Sequence, residues 1–214
     1  MKTVLVIGLG RFGRHLCKGL TESGNEVLAV DNDETRCNKA AGFATEVQIA
    51  DATDPDVIKS LGVNNFDSCV VAIADNFQSS LETTALLADH GAKHILARAN
   101  SDVHEKFLLR NGADEVVYAE RDMAERIAVR VGSNRVIDYI KLNNDYSIAE
   151  IKVPDKWVGK TIIDLDIRAK YNVNIVLIKR REEFISIPDP TKKFTPDDVV
   201  MLLGHMEDIR PLVK

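Results

Sequence analysis

The sequence predicts an α/β fold, a doubly wound parallel sheet followed by a second, small α+β domain. Short apolar, β-prone runs alternate with helix-like segments as far as Val117, and from Val136 onward short alternating strands dominate. A chain of 214 residues is long enough for two such domains. We place the boundary near residue 133, which gives domains of residues 1–132 and 133–214.

Six strands and five helices are expected between Met1 and Val117 in the first domain. The strands are predicted at Thr3–Ile7, Glu26–Val30, Glu46–Ile49, Ser68–Ile73, His94–Arg98 and Glu115–Val117. The helices are predicted at Arg11–Ser23, Glu34–Ala41, Pro55–Leu61, Asn76–His90 and Asp102–Asn111. Short apolar runs buried on both faces are typical of a parallel sheet covered by helices. Gly24, Gly91 and Gly112 follow helical segments and are expected to cap them.

The second domain is expected to hold four strands and one helix. An amphipathic helix over Asp122–Val131 precedes it and ends at Gly132. The strands are predicted at Asp138–Leu142, Tyr146–Val153, Ile175–Arg180 and Val199–Leu203, and the helix at Ile162–Lys170. A domain of about 80 residues buries a modest core, so pairing with a second copy would stabilise it.

Composition excludes several classes of protein. No apolar run approaches the roughly 20 residues that span a bilayer, and the start lacks a secretory leader pattern, so a cytoplasmic chain is expected. Three cysteines without C-x-x-C spacing predict neither a disulfide framework nor a zinc site. No basic stripe or Arg-rich recognition helix is present, so no nucleic-acid partner is expected.

A phosphate-binding turn is predicted between the first strand and the first helix. The stretch "VIGLGRFG" contains G-x-G-x-x-G in this context, the fingerprint of a Rossmann-like nucleotide site. Gly8 permits the tight turn, Gly10 lets the backbone approach a pyrophosphate, and Gly13 lets the helix pack close to the strand. The phosphate would then lie at the helix N-terminus, where free N–H groups favour an anion.

Asp31 stands at the end of the second strand, 18 positions past Gly13. A carboxylate there can bond both hydroxyls of an adenosine ribose and would repel a 2′-phosphate. No arginine follows it directly, since Asn32, Asp33 and Glu34 come next, which argues against NADP. The alternative is that Asp31 only starts a turn or caps the next helix.

Two further strand ends face the same crevice. Asp51, Ala52 and Thr53 follow the third strand, and Ala74 and Asn76 follow the fourth. Ligands of open α/β sheets bind at the carboxyl ends of the strands, so these small and polar residues can flank an adenine. The alternative is ordinary loop chemistry and helix capping.

Arg11, inside the glycine turn, can bond a β- or γ-phosphate or reach across a subunit interface. A solvated arginine is the alternative. We assign Asn32, Phe12 in the turn and Arg98 at the end of the fifth strand to the same nucleotide site.

The sequence offers no catalytic pair. The five histidines have no recognisable acid–base partner, and Tyr-x-x-x-Lys, His-Glu-x-x-His and Gly-x-Ser-x-Gly are all absent. Nucleotide sensing without catalysis is therefore favoured. A small NAD-dependent oxidoreductase and a nucleotide-responsive transcriptional regulator are the alternatives.

Longer segments resemble the gating subunits of bacterial potassium uptake systems, the TrkA/KtrA type with RCK (regulator of potassium conductance) domains. The resemblance covers essentially the whole chain in its single-repeat form. It is carried by the segments "VLAVDND", "ADATDPDVIKSLG", "GADEVVYAERDMAERIA", "YSIAEIKVP", "GKTIIDLDIRAKYNVNIVLIKR" and "VVMLLGHMEDI".

The resemblance implies a homodimer that assembles into an octameric ring under a membrane potassium channel or transporter subunit of the TrkH/KtrB type. It places the chain in the cytoplasm, peripheral to the inner face of the membrane. ATP or ADP would bind in the Ktr-like branch and NAD(H) in the Trk-like branch. Arg11 would meet the terminal phosphate, and Glu120 would help hold a divalent cation, Mg²⁺ or Ca²⁺. Ala119 departs from the family, which more often has Pro there.

The C-terminal domain resembles a dimeric receptor for cyclic di-AMP. Apolar side chains would enclose the bases and Arg168 would meet a phosphate. The alternative is that the isoleucines form the dimer core. The matching positions are Ile162, Ile163, Ile167, Arg168, Asn174, Ile175 and Pro190.

Overall fold

The computed structural model describes residues 1–143 and 145–213. Contacts within the chain divide it into a first unit, Met1–Glu120, and a second unit that begins at Arg121. This division falls in the first turn of helix α6 (Ala119–Val131), whereas the boundary expected near residue 133 lies just after that helix ends. The domain assignment itself stays a prediction. None of the described helices is both long and apolar enough to cross a bilayer.

The first unit contains a six-stranded parallel sheet with the strand order β3-β2-β1-β4-β5-β6. Its strands are β1 (Thr3–Ile7), β2 (Glu26–Asp31), β3 (Glu46–Ile49), β4 (Ser68–Val71), β5 (Ile95–Arg98) and β6 (Glu115–Val117). The predicted doubly wound sheet is therefore confirmed. The chain moves outward from β1 to β3 and then returns to place β4 on the other side of β1, which opens a crevice at their carboxyl ends.

The strands alternate with five helices whose starts are set by capping residues and glycine. The helices are α1 (Arg11–Glu22), α2 (Glu34–Ala40), α3 (Pro55–Leu61), α4 (Phe77–Asp89) and α5 (Asp102–Arg110). Side chains of Asp33, Asp54, Asn76 and Ser101 accept backbone N–H groups at the starts of α2 to α5. The central strand β1 is buried on both faces, with Val4 and Val6 in one cluster and Leu5 and Ile7 in the other.

The second unit contains a five-stranded antiparallel sheet with the order β10-β9-β11-β8-β7. Its strands are β7 (Val136–Lys141), β8 (Tyr146–Lys152), β9 (Val173–Arg180), β10 (Glu183–Ile185) and β11 (Asp198–His205). Its short helices are α7 (Ile162–Leu165), α8 (Ile167–Tyr171) and α9 (Met206–Ile209). Trp157 is fully buried in the core of this unit, against Tyr171 and Phe194.

The single helix predicted over residues 162–170 is wrong. Asp166 adopts φ 44° and ψ 53°, a left-handed conformation that ends α7 and begins α8. A left-handed residue cannot continue a right-handed helix, so the segment bends there. The strand β10, the helix α9 and the short 3-10 helices over Val63–Asn65, Asp155–Trp157 and Arg210–Leu212 escaped prediction, because each has only three or four residues and gives no periodic signal.

Candidate functional site

A cleft of about 660 Å³ lies in the first unit at the carboxyl ends of the parallel strands. With the exception of Gly13, every residue predicted for the nucleotide and cation sites of the first domain lines it. These residues are Gly8, Gly10, Arg11, Phe12, Asp31, Asn32, Asp51, Ala52, Thr53, Ala74, Asn76, Arg98 and Glu120. The sheet therefore brings together residues that end or follow all six of its strands, and their contact with a ligand stays a prediction.

The glycine turn has the geometry that a phosphate cradle requires. Gly8 has φ +95°, which favours glycine, and a Cβ on Gly13 would lie 1.9 Å from the Gly8 carbonyl oxygen. A Cβ on Gly10 would meet no heavy atom within 4 Å, so open space lies in front of this backbone. No side chain caps the N-terminus of α1 at Gly10, so its first N–H groups are available to an anion.

Asp31 braces the glycine turn and also lines the cleft. Its Oδ2 accepts the Leu9 N–H at 2.6 Å and its Oδ1 accepts the Asp33 N–H at 2.9 Å. The carboxylate thus connects β2 to the turn after β1 and to the start of α2. A carboxylate has about four acceptor positions, so lone pairs remain for a ribose.

Arg36 is a cleft residue that the sequence analysis missed. Its Nη1 lies 3.5 Å from Asp31 Oδ2, although its side chain is half exposed. The argument against a 2′-phosphate assumed that no cation stands beside Asp31, and this assumption is wrong. The signal in the sequence was Asp33 as a helix cap, because it places residue 36 in the first turn of α2, facing back towards Asp31.

The third and fourth strand ends supply fixed polar turns. Asp51 Oδ1 accepts both the N–H and the hydroxyl of Thr53, and these bonds hold the pKa of Asp51 below its ordinary value. Asn76 caps α4 by accepting the Ser79 N–H at 3.1 Å, so it both lines the cleft and starts a helix. Helix capping was the alternative to ligand contact for this loop, and Asn76 shows that one residue can cap a helix and also line the cleft.

Arg98 and Glu120 form an ion pair at the far side of the cleft. The guanidinium carbon of Arg98 lies 5.2 Å from the centroid of the Phe12 ring. Burial raises the pKa of Glu120, but hydrogen bonds and the positive charges of Arg98 and Arg11 outweigh it and leave the pKa below its ordinary value. Glu120 is therefore an anion, held here by Arg98.

The cation role of Glu120 stays a prediction. Among residues 1–143 and 145–213, no three His, Cys, Asp or Glu side chains are grouped so that they could hold a metal ion. A cation at Glu120 would consequently need further ligands, of which nucleotide phosphate oxygens are the chemically suited ones.

The residues predicted for cyclic di-AMP divide between exposed and buried positions of the second unit. Ile163 is 61% exposed, and its N–H donates to the carbonyl oxygen of Pro190 at 3.3 Å. Arg168 and Asn174 are also exposed, while Ile162 and Ile175 are half-buried against the core. Ile167 is 3% exposed and packs in the core, so it stands apart from the exposed members of the set.

Comparison with known proteins defines the family. The family models of the TrkA-N domain and the TrkA-C domain match residues 4–119 and 147–214. The chain is 46% identical to Ktr system potassium uptake protein C of Bacillus subtilis (strain 168), over 97% of this chain and 94% of that protein. It is 40% identical to protein A of the same system and organism, over 98% and 94%. The chain therefore belongs to the TrkA family of potassium uptake proteins, which confirms the resemblance.

A solved structure shows the same fold across both units. The GsuK channel bound to NAD matches with a TM-score of 0.67 at 20% identity, over 99% of this chain and 38% of that longer chain. A similarity at this level of identity concerns the fold alone.

Proposed function

We propose that this protein is a nucleotide-sensing regulatory subunit of a bacterial potassium uptake system. The observation that carries the proposal is the cleft, which combines an uncapped helix N-terminus, the cation Arg11 and the carboxylate Asp31. The family relatives are potassium uptake proteins, so the cleft would serve regulation of transport. No catalytic role is assigned to any residue.

We propose adenine nucleotides as the ligands of the cleft. A volume of about 660 Å³ is in the range of sites that hold such molecules. The resemblance to the Ktr-like branch implies ATP or ADP, and the resemblance to the Trk-like branch implies NAD(H). The GsuK channel, which shares the fold, has been solved bound to NAD. The exposed surface at Ile163 and Pro190 is proposed as a second site, for cyclic di-AMP.

The proposed partners follow from the family. The chain would form homodimers that assemble into an octameric ring on the cytoplasmic side of a membrane potassium transporter subunit. Nucleotide binding would then bias the ring between two states, which requires a different affinity for each state.

Thermal unfolding with ATP, ADP, NAD, NADH and cyclic di-AMP, each with and without Mg²⁺, tests the proposed ligands. A ligand at ~100 times its dissociation constant adds about 2.7 kcal/mol, a rise of several degrees in the midpoint of a chain this size. We expect a shift with ATP or ADP, and a Gly10→Ala variant whose shift is at most about half as large. No shift with any of the five would overturn the proposal.

Flux measurements test the regulatory role. Potassium uptake into vesicles that hold a Ktr membrane subunit should depend on this chain and change when the nucleotide is exchanged. Potassium uptake that depends neither on this protein nor on the nucleotide would contradict a gating function. Oxidation of NADH by the chain with an aldehyde or ketone would instead support the oxidoreductase alternative.

A further inference from the structure

A buried histidine lies behind one wall of the cleft. His104, on α5, is fully buried, and its Nε2 lies 3.2 Å from the hydroxyl oxygen of Ser80 on α4. Its Nδ1 lies 3.2 Å from Oδ1 of Asn100, in the loop between β5 and α5. Neither Asn100 nor His104 belongs to the nucleotide site as predicted, and neither lines the cleft.

The hydrogen bonds of this group can be assigned a direction. The side-chain amide of Asn100 donates to the Ala74 carbonyl oxygen at 2.7 Å, so its Oδ1 is left as the acceptor that faces His104. His104 must then carry its proton on Nδ1, and Nε2 accepts from the Ser80 hydroxyl. The chain of donors runs from Ser80 through His104 and Asn100 to the backbone of Ala74, which lines the cleft.

The same histidine also touches the start of α4. The ring of Phe77 packs 4.9 Å from the His104 ring, and Phe77 directly follows the cap residue Asn76. The turn over residues 74–76 is therefore held at both ends, by Asn100 at the Ala74 carbonyl and by His104 under Phe77. This turn carries two of the residues predicted to flank the nucleotide.

We propose that Asn100 is a positioning residue for nucleotide binding, held in place by His104, and that its amide fixes the Ala74–Asn76 wall of the cleft. The inference rests on the proposed nucleotide site. Without the amide donor of Asn100, the Ala74–Asn76 turn would be free to rotate away from the cleft. Nucleotide binding would then have to restore the position of this turn, which lowers the affinity. The effect is on affinity, not only on stability.

The test compares the dissociation constants of ATP and ADP for the wild-type protein and its variants. Each is measured at a temperature well below that protein's midpoint of thermal unfolding. Asn100→Asp keeps the shape but cannot donate to the Ala74 carbonyl, and Asn100→Ala removes the amide without adding charge. One lost hydrogen bond of about 1 kcal/mol predicts roughly fivefold weaker binding in both variants. His104→Leu should weaken binding similarly, whereas His104→Gln, which retains a donor and an acceptor, should restore most of it.

Thr84→Val is the matched control. The Thr84 hydroxyl is buried on α4 and donates to the Ser80 carbonyl oxygen at 2.7 Å. This bond is not one of the hydrogen bonds that link Ser80 through His104 and Asn100 to Ala74. This variant should lower the midpoint of unfolding and leave the affinity unchanged. Asn100 variants that lose stability but keep the wild-type affinity would overturn the inference, whereas a wild-type chain that binds no nucleotide would overturn the proposed function instead.

Discussion

The two units place their predicted ligand residues in opposite ways. In the first unit, residues that end or follow six strands, far apart in sequence, line one cleft within a single chain. In the second unit, the predicted residues come from neighbouring short segments and divide between an exposed surface and the core. A parallel sheet gathers strand ends at one edge, whereas a small antiparallel sheet leaves its short helices on a face. We therefore expect the first site to be complete in one chain and the second to require another copy.

The units also hold their charges differently. Asp31 of the first unit lines the cleft and accepts the backbone N–H groups of Leu9 and Asp33. Asp198 of the second unit is fully buried and bonded to Arg180 and Thr195. Burial raises the pKa of Asp198, but the bonds from Arg180 and Thr195 outweigh it and leave the pKa below its ordinary value.

The largest effects are expected from two substitutions in the glycine turn, one that prevents folding and one that weakens nucleotide binding. Gly13→Val should prevent the first unit from folding, because even its Cβ would lie 1.9 Å from the Gly8 carbonyl oxygen. Gly10→Ala has open space around the new methyl group and should fold normally, yet lose nucleotide affinity at least tenfold, since the methyl lies where phosphate approaches. Circular dichroism and calorimetric titration measure the two effects. If the Gly10→Ala variant kept the wild-type affinity for nucleotide, phosphate binding at the glycine turn would be contradicted.

A second, smaller effect should be confined to the second unit. Asp198→Asn leaves Arg180 without its anionic partner, and loss of a charge-assisted pair costs roughly 2–3 kcal/mol. Trp157 is the one tryptophan of the chain and is buried in this unit, so its fluorescence follows the unfolding. Nucleotide affinity in the first unit should stay unchanged. A matching loss of affinity would show that the two units are not independent.

Arg11→Ala tests the phosphate end of the cleft. Removal of a charge-assisted contact should weaken ATP or ADP roughly tenfold and leave adenosine, which has no phosphate, unaffected. Isothermal titration with the three ligands gives the comparison, and Lys18→Ala, on the exposed face of α1, serves as the control. Equal losses for adenosine and ATP would place Arg11 elsewhere than at the phosphates.

The smallest expected effect is a pH dependence of the first unit. Burial lowers the pKa of His104, because desolvation penalises the imidazolium. As the pH falls below about 6.5, the unfolded chain binds a proton that the folded chain does not, so the free energy of unfolding decreases. His104→Gln should flatten this decrease between pH 6.5 and 5, while the other four histidines contribute equally to both chains. If the free energy of unfolding fell equally with pH in the wild-type protein and in His104→Gln, this prediction would be contradicted.

Local signals predicted the first unit well. Apolar runs buried on both faces and glycines at fixed offsets act over a few residues, so they can be read along the chain. The break at Asp166 could not be predicted, because its left-handed conformation follows from packing on either side and not from the periodicity of residues 162–170.

By itself, the sequence determined the parallel sheet, the phosphate turn and the polar strand ends, because each depends on residues close together in the chain. Tertiary structure decided which distant side chains meet. It paired Arg98 with Glu120, joined the side-chain amide of Asn100 to the Ala74 carbonyl oxygen, and set His104 against Ser80. It also buried Ile167 in the core. These contacts join residues that no local period relates, so only the packing of helices on the sheet could fix them.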